Sequence, residues 1–292
     1  MKAIIFGANG QDAYFLDRLL EHNGVDVIKV SRNNAPIIGD VSDFKFVQEI
    51  IKEHLPEYIF HLAASSSTKH EFIFENNESI SNGTINILES VRLANPNIKV
   101  FLSGSALQFK NTGLPINEDT IFDASSQYSL ARIHSAYAGR YYRNYFGLKV
   151  YIGYLFNHDS ELRSEKHVNK KIINDLKLIK ERKLTKLIIG DSDVRKEFNF
   201  AGDIVNAIWI LINQDKIFEA VIGSGIAYSI KDWIKIVSEI LQIKFDELII
   251  EPDNNFKSEY QLLVSDPKII KSIGWKPEVT IKSLAERMLK KI

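Results

Sequence analysis

Tyr128 and Arg132 in the stretch QYSLAR stand four residues apart, which on a helix places a phenol and a guanidinium on one face. A phenol beside a fixed cation is suited to moving a proton to or from an alcohol or carbonyl oxygen. The guanidinium can stabilise a phenolate, but it cannot itself give up a proton. Ser105 in SGSAL follows the apolar run KVFL, so its hydroxyl is expected at the C-terminal end of a strand, where the ligands of parallel sheets collect. The bland alternative for Tyr128 is a helix-start aromatic in a tyrosine-rich stretch.

A second constellation lies at the N-terminus. GANGQDA places Gly7 and Gly10 between the apolar run KAIIF and an amphipathic segment, with Asn9, Gln11 and Asp12 alongside. Such a turn lets a diphosphate approach backbone amides at a helix N-terminus, which points to a dinucleotide. Glycines serving turn geometry alone are the competing reading. After the next apolar run, KVSRNN supplies Ser31 and Arg32 and no carboxylate. This favours the 2′-phosphate of NADP(H), with NAD(H) as the alternative. Asp40 and Val41 are candidates to flank the adenine, and a loop-capping role for Asp40 is nearly as good an account.

The elements that must hold these groups follow from periodicity. In the first half, KAIIF, VDVIKV, EYIFHLAA, KVFLSGSA and LKVYIGYLF alternate with amphipathic segments, the pattern of βαβ units around a parallel sheet. In DAYFLDRLLEHNG, Phe15, Leu16, Leu19 and Leu20 share one helical face and Gly24 ends the helix. SDFKFVQEIIKEH is expected to be a helix capped by Ser42, and QYSLARIHSAYAGRYYRNYFG a long helix ending at Gly147. The expected class is α/β, a Rossmann-like doubly wound sheet over residues 1–157 with a smaller C-terminal α/β substrate lobe over 158–292, a boundary the chain is free to cross back over. Bulk composition agrees: 292 residues, 45% hydrophobic and 25% charged, suit an ordinary globular chain. Lys+Arg and Asp+Glu balance at 37 each, which gives no case for nucleic acid or an anionic membrane as partner. Without cysteine there is no disulfide, thiolate metal site or cysteine nucleophile, and the seven histidines show no ligand spacing, so no metal is expected. The N-terminal apolar run is too short for a signal peptide, and a cytoplasmic location is expected.

Taken in order, GANGQDAYFLDRLL, HLAASSS, SNGTINILESVRL, FLSGSALQF, QYSLAR, GYLFNHDS, VRKEFNFAGDIVNAIW, VIGSGIAYSIKDW and SIGWKPEV resemble the extended short-chain dehydrogenase/reductase family. Within it they resemble GDP-mannose 4,6-dehydratase and its nucleotide-sugar relatives. The resemblance implies that Tyr128 and Arg132 occupy the catalytic tyrosine and lysine positions and contact the cofactor, and that Ser105 bonds the reacting oxygen and thus the substrate. It adds Leu62, Ala63 and Ala64 to the cofactor contacts. For the nucleoside-diphosphate sugar, with GDP favoured, it implies Asn157, Lys170, Lys171, Arg195, Lys196 and Lys257. Solvated lysine faces explain the basic residues about as well. In relatives the long tyrosine-rich helix pairs two copies by four-helix packing, so a homodimer is expected, although Tyr137, Tyr141, Tyr142 and Tyr145 could equally be core.

Three departures shape the expected reaction. Arg132 replaces lysine, which implies a slower or differently tuned enzyme. Ala106 and Leu107 stand where dehydratases of the family carry the acid and base for elimination. Lys196, and Phe256 beside Lys257, replace diphosphate-binding arginines. Hydride chemistry without elimination leaves a reductase of a 4-keto-6-deoxy sugar as the main reading, favoured by NADP(H). A 4-epimerase or 4-dehydrogenase follows, then a dehydratase drawing on Asp159 or Glu161, then a dinucleotide-binding regulatory protein without turnover.

Overall fold

The seven apolar runs of the larger sheet are parallel throughout and bury both faces, as expected of a sheet covered by helices on each side. The computed structural model describes residues 1–165, 167–253 and 258–290. In chain order the first elements are β1 (Lys2–Phe6), α1 (Gln11–His22), β2 (Asp26–Ser31), β3 (Ile37–Ile38), α2 (Phe44–His54) and β4 (Tyr58–His61). The short α3 (Ile73–Asn76) runs through a π-helical stretch (Asn77–Asn82) into α4 (Gly83–Ala94). Then come β5 (Lys99–Ser105), α5 (Gln127–Phe146) and β6 (Lys149–Leu155).

Across the sheet the order is β3-β2-β1-β4-β5-β6-β11, where β11 (Glu219–Ile222) arrives from much later in the chain. Strand order reverses between β1 and β4, which opens a crevice at their C-terminal ends. The turn after β1 and the loop after β4 meet there, with Phe6 paired to both Val30 and His61. One core lies under α2, α4 and α5. On the other face a second core joins Ile5, Phe60, Phe101 and Tyr151 to α1 and to α7 (Ala201–Ile212).

The smaller lobe contains β7 (His158–Asp159), α6 (Val168–Lys180), β8 (Leu187–Ile189), β9 (Arg195–Glu197) and β10 (Asn199–Phe200). After α7 and β11 the chain returns to it as β12 (Ala227–Ser229), α8 (Ile230–Leu241), β13 (Ile250–Pro252) and β14 (Leu262–Leu263). It ends with α9 (Lys268–Ser272), beside β11, and α10 (Ile281–Leu289), in the lobe's own core. Glu197, with no exposed surface, ties the two parts together. Its carboxylate accepts the backbone N–H groups of Ser224, Gly225 and Ser265 and the Ser265 hydroxyl at 2.6 to 3.3 Å.

Asp43, not Ser42, caps α2. Its carboxylate accepts Lys45 N–H and Phe46 N–H, because the chain stays extended one residue longer while Asp40 takes up Ser42 N–H. Gly24 and Gly147 adopt φ values of 70° and 69° just beyond α1 and α5, conformations that only glycine holds without strain. On α5, Tyr142 is core, whereas Tyr137, Tyr141 and Tyr145 are exposed. Among the described residues no helix is long and apolar enough to cross a membrane.

Candidate active site

Gly7 is where the cofactor cleft is built. Its φ is 92°, and a Cβ there would lie 2.6 Å from the Ala63 nitrogen, so a side chain would push the turn off the loop after β4. Around this close approach lies a cleft of about 400 Å³. It is lined by every residue assigned to the cofactor apart from the helix pair: Gly7, Asn9, Gly10, Gln11, Asp12, Ser31, Arg32, Asp40, Val41, Leu62, Ala63 and Ala64. The N-terminus of α1 opens into it, where free N–H groups and the helix dipole favour a phosphate. Asn9 braces the end of β2 by donating to the Ser31 hydroxyl at 3.0 Å and the Asn33 carbonyl at 2.6 Å. These features suit a dinucleotide, and no carboxylate stands at the end of β2.

Adjoining it, a cleft of about 420 Å³ gathers Ser105, Ala106, Leu107, Tyr128, Arg132 and Asn157. Ser126 caps α5 through the Ser129 N–H, so the helix begins just ahead of Tyr128 and sets its direction. Arg132 Nε donates to the Tyr128 hydroxyl at 3.2 Å, and Nη1 donates to the Ser103 hydroxyl at 2.7 Å and to the Ser103 carbonyl. Ser103 in turn donates to the His61 carbonyl at 3.0 Å. His61 itself is buried, and that burial, with the Arg132 charge as a second cause, lowers its pKa to about 4. Ser105 closes β5 and is fixed by Leu107 N–H on its hydroxyl and by Gln108 on its own N–H.

In the smaller lobe a cleft of about 430 Å³ is lined by Val168, Ile189 and Ile230 together with Lys171, Lys196 and Asp191. Lys196 is nearly buried over the Phe198 ring, and burial pushes its ammonium below the usual lysine range despite the nearby Asp159. Lys171 is engaged by Asp175 at 2.5 Å. Lys170 and Arg195 line neither cleft: Lys170 reaches the Glu161 and Met288 carbonyls, and Arg195 donates to the Ala227 carbonyl. Lys257 and Phe256 lie outside the described residues. Asp159 is taken up by Asn169 and Arg163, and neither Asp159 nor Glu161 lines the Tyr128 cleft.

Two residues escaped the sequence reading. Arg163 lines both the dinucleotide cleft and the Tyr128 cleft. His158 Nε2 faces both Asp12 oxygens at 3.0 and 3.1 Å, while Nδ1 meets the Phe156 carbonyl at 2.8 Å. Burial alone would raise the Asp12 carboxyl, but His158 holds it below the ordinary range. Burial likewise opposes the charge on His158, and Asp12 nevertheless raises its pKa. Asp12 is the one carboxylate among the described residues of the Tyr128 cleft, and it is occupied by this pair. Among the described residues no cluster of His, Asp or Glu has the geometry to hold a metal.

Known proteins are similar to this chain along nearly its whole length. GDP-mannose 4,6 dehydratase 1 of Arabidopsis thaliana is 26% identical over 318 residues, spanning 98% of this chain and 88% of the relative. GDP-mannose 4,6-dehydratase of Vibrio cholerae is 26% identical over 346 residues, spanning 99% and 92%. In structure, RMD from Pseudomonas aeruginosa complexed with NADPH superposes with a TM-score of 0.86 at 19% identity, over 99% of this chain and 96% of the other. UDP-glucose 4-epimerase of Thermus thermophilus in complex with NAD gives 0.84 at 17% identity, over 99% of both. The family model for GDP-mannose 4,6 dehydratase matches residues 4–288, so the glycine turn, the Tyr128 cleft and the smaller lobe all fall inside one match and the chain belongs to that family.

Proposed function

We propose that the protein is an NADPH-dependent reductase of a nucleotide-linked 4-keto-6-deoxy sugar, with a GDP sugar as the favoured substrate. The observation that carries this reading is the wall of the Tyr128 cleft. Ala106 and Leu107 offer neither acid nor base, and Asp12, the only carboxylate there among the described residues, is held by His158, which leaves His167 as the one acid–base side chain of the wall besides Tyr128. Elimination of water needs both groups beside the reacting carbons, whereas reduction of a ketone needs a single proton donor. The family match and the named dehydratase relatives favour dehydration as the second reading.

Residues 1–157, completed by α7 and β11, serve as the dinucleotide-binding part, and most of 158–292 as the nucleotide-sugar lobe. A bound nicotinamide dinucleotide supplies the hydride. The chain supplies the rest. Tyr128 gives its phenolic proton to the oxygen of the reduced carbonyl, and Arg132, already bonded to that phenol, stabilises the phenolate left behind. The Ser105 hydroxyl orients the carbonyl. Arg32 and Ser31 receive the 2′-phosphate at the end of β2. Asn157 and Lys196 hold the sugar diphosphate, and the apolar walls of Val168, Ile189 and Ile230 take the base. The exposed tyrosines of α5 form the face on which a second copy packs.

The test is NADPH consumption by the purified protein with a GDP-4-keto-6-deoxy sugar generated in situ, beside a Tyr128→Phe control. Consumption abolished in the control is expected. Conversion of GDP-mannose into a GDP-linked 4-keto-6-deoxy sugar and water, without net NADPH loss, would instead establish the dehydratase.

A further inference from the structure

The loop after β4 carries a residue in an uncommon conformation. Ser66 has φ 58°, in the left-handed region that a non-glycine residue occupies only when its surroundings hold it there. It lines both the dinucleotide cleft and the Tyr128 cleft. What holds the loop is the side chain immediately before the candidate catalytic tyrosine. Gln127 Nε2 donates to the Ser67 carbonyl at 2.7 Å and to the Lys69 carbonyl at 3.0 Å, while its Oε1 accepts from Asn76 Nδ2 at 3.1 Å. Asn76 Nδ2 also donates to the Ser67 carbonyl at 2.9 Å. Gln127 is 8% exposed and Asn76 not at all.

The helix itself does not need this. Ser126 and Ser129 already complete the N-terminal cap of α5, and the first helical position has no intrahelical use for a side-chain amide. Proline, which has no amide at all, is preferred there. A buried amide that breaks a local preference marks a position chosen for something other than the helix. On the other side of the clamp, Ala64 packs on the cluster of Ile80, Tyr128 and Ala131, so the loop that lines the candidate cofactor cleft also packs on the cluster that holds the tyrosine.

We propose that Gln127 and Asn76 are positioning residues: a two-amide clamp fixes the backbone of residues 62–69 against the start of α5 and thereby sets the dinucleotide in register with the Tyr128 phenol. The inference rests on the reading of the site as dinucleotide-dependent.

Gln127→Pro separates this role from stability. Ser126 has φ −147° and ψ 165°, an extended conformation that tolerates a following proline, so α5 keeps its start while the clamp is lost. The expected result is a protein that keeps its fold but melts at a lower temperature, because the buried hydrogen bonds of the clamp are lost, with NADPH dissociation and NADPH-oxidation kcat each worse by about tenfold beyond what the folded fraction accounts for, and an unchanged KM for the nucleotide sugar, whose lobe the clamp does not touch. Asn76→Ala combined with Gln127→Pro should add little to Gln127→Pro alone, because both remove one device. A folded Gln127→Pro protein that binds NADPH and turns over like the wild type overturns the clamp. Loss of activity only in step with loss of fold, tracked by melting, also overturns it. A wild-type protein that binds no dinucleotide sinks the underlying reading of the site instead.

Discussion

Replacing Arg132 by lysine separates what the charge does from what the fork does. In the structure the nearly buried guanidinium serves two sides at once, Tyr128 through Nε at 3.2 Å and Ser103 through Nη1 at 2.7 Å to its hydroxyl and also to its carbonyl. A lysine ends in a single nitrogen near the place of the guanidinium carbon, so it can keep the phenol or Ser103 but not both. Hydrogen bonds from a charged donor contribute about 1.5–3 kcal/mol each. Two are lost on the Ser103 side, although the Ser103 hydroxyl keeps its bond to the His61 carbonyl, so a stability loss of roughly 3–6 kcal/mol is expected by urea denaturation. Turnover per folded molecule should move the other way, rising by up to about tenfold, because an ammonium can pass a proton on and a guanidinium cannot. Arg132→Met, which removes the charge, should fall by about a hundredfold or more in the same NADPH-oxidation assay. A folded lysine variant no faster than the wild type would refute the relay argument. One as slow as the methionine variant would refute the fixed-cation argument too.

Arg32→Asp places a carboxylate at the end of β2, where it repels a 2′-phosphate and accepts ribose hydroxyls. The preference for NADPH over NADH should fall by about tenfold or more in binding titrations, and an unchanged ratio would remove Arg32 from cofactor selection. His61 is neutral in the folded protein down to about pH 4, while the unfolded chain takes up its proton near 6.5. Stability present above the higher value is therefore lost as pH falls towards the lower one, by about 3 kcal/mol, and His61→Asn should flatten that part of the stability curve. Parallel curves for the two proteins would show that another group carries the loss.

Much of this was legible because it is periodic. Five of the seven strands of the large sheet and the helices between them follow from apolar runs of strand length, and the cleft at the start of α1 from a glycine turn placed after the first. Strands β3 and β11 were not read: two residues of β3 are too few for a pattern, and β11 is buried by partners distant in sequence. Of the residues expected to hold a substrate only some line a cleft, because a lysine in a basic helix looks the same in sequence wherever its side chain is placed. Lys170 and Lys171 are adjacent in sequence and both reach backbone carbonyls, yet of the two only Lys171 lines the cleft of the smaller lobe. The Asp12 and His158 pair depends on a contact across 146 residues of chain, which no local spacing announces.

The strand β11 and helix α7 have a consequence for how the protein is made. The chain leaves the first part after β6, returns for α7 and β11, leaves again for β12 and α8, returns for α9 and leaves once more for α10. A nascent chain emerging from the ribosome as far as residue 157 lacks Ile204, Ile208 and Leu211, so Phe60, Phe101 and Tyr151 remain uncovered and β6 is an open edge. The sticky face persists until roughly sixty-five more residues have been synthesised, a delay of several seconds at ordinary translation rates. A fragment cut at that point should aggregate rather than fold, and the smaller lobe cannot be exchanged between relatives as a cassette. In this architecture the smaller lobe and the large sheet are completed by the same late stretch of chain.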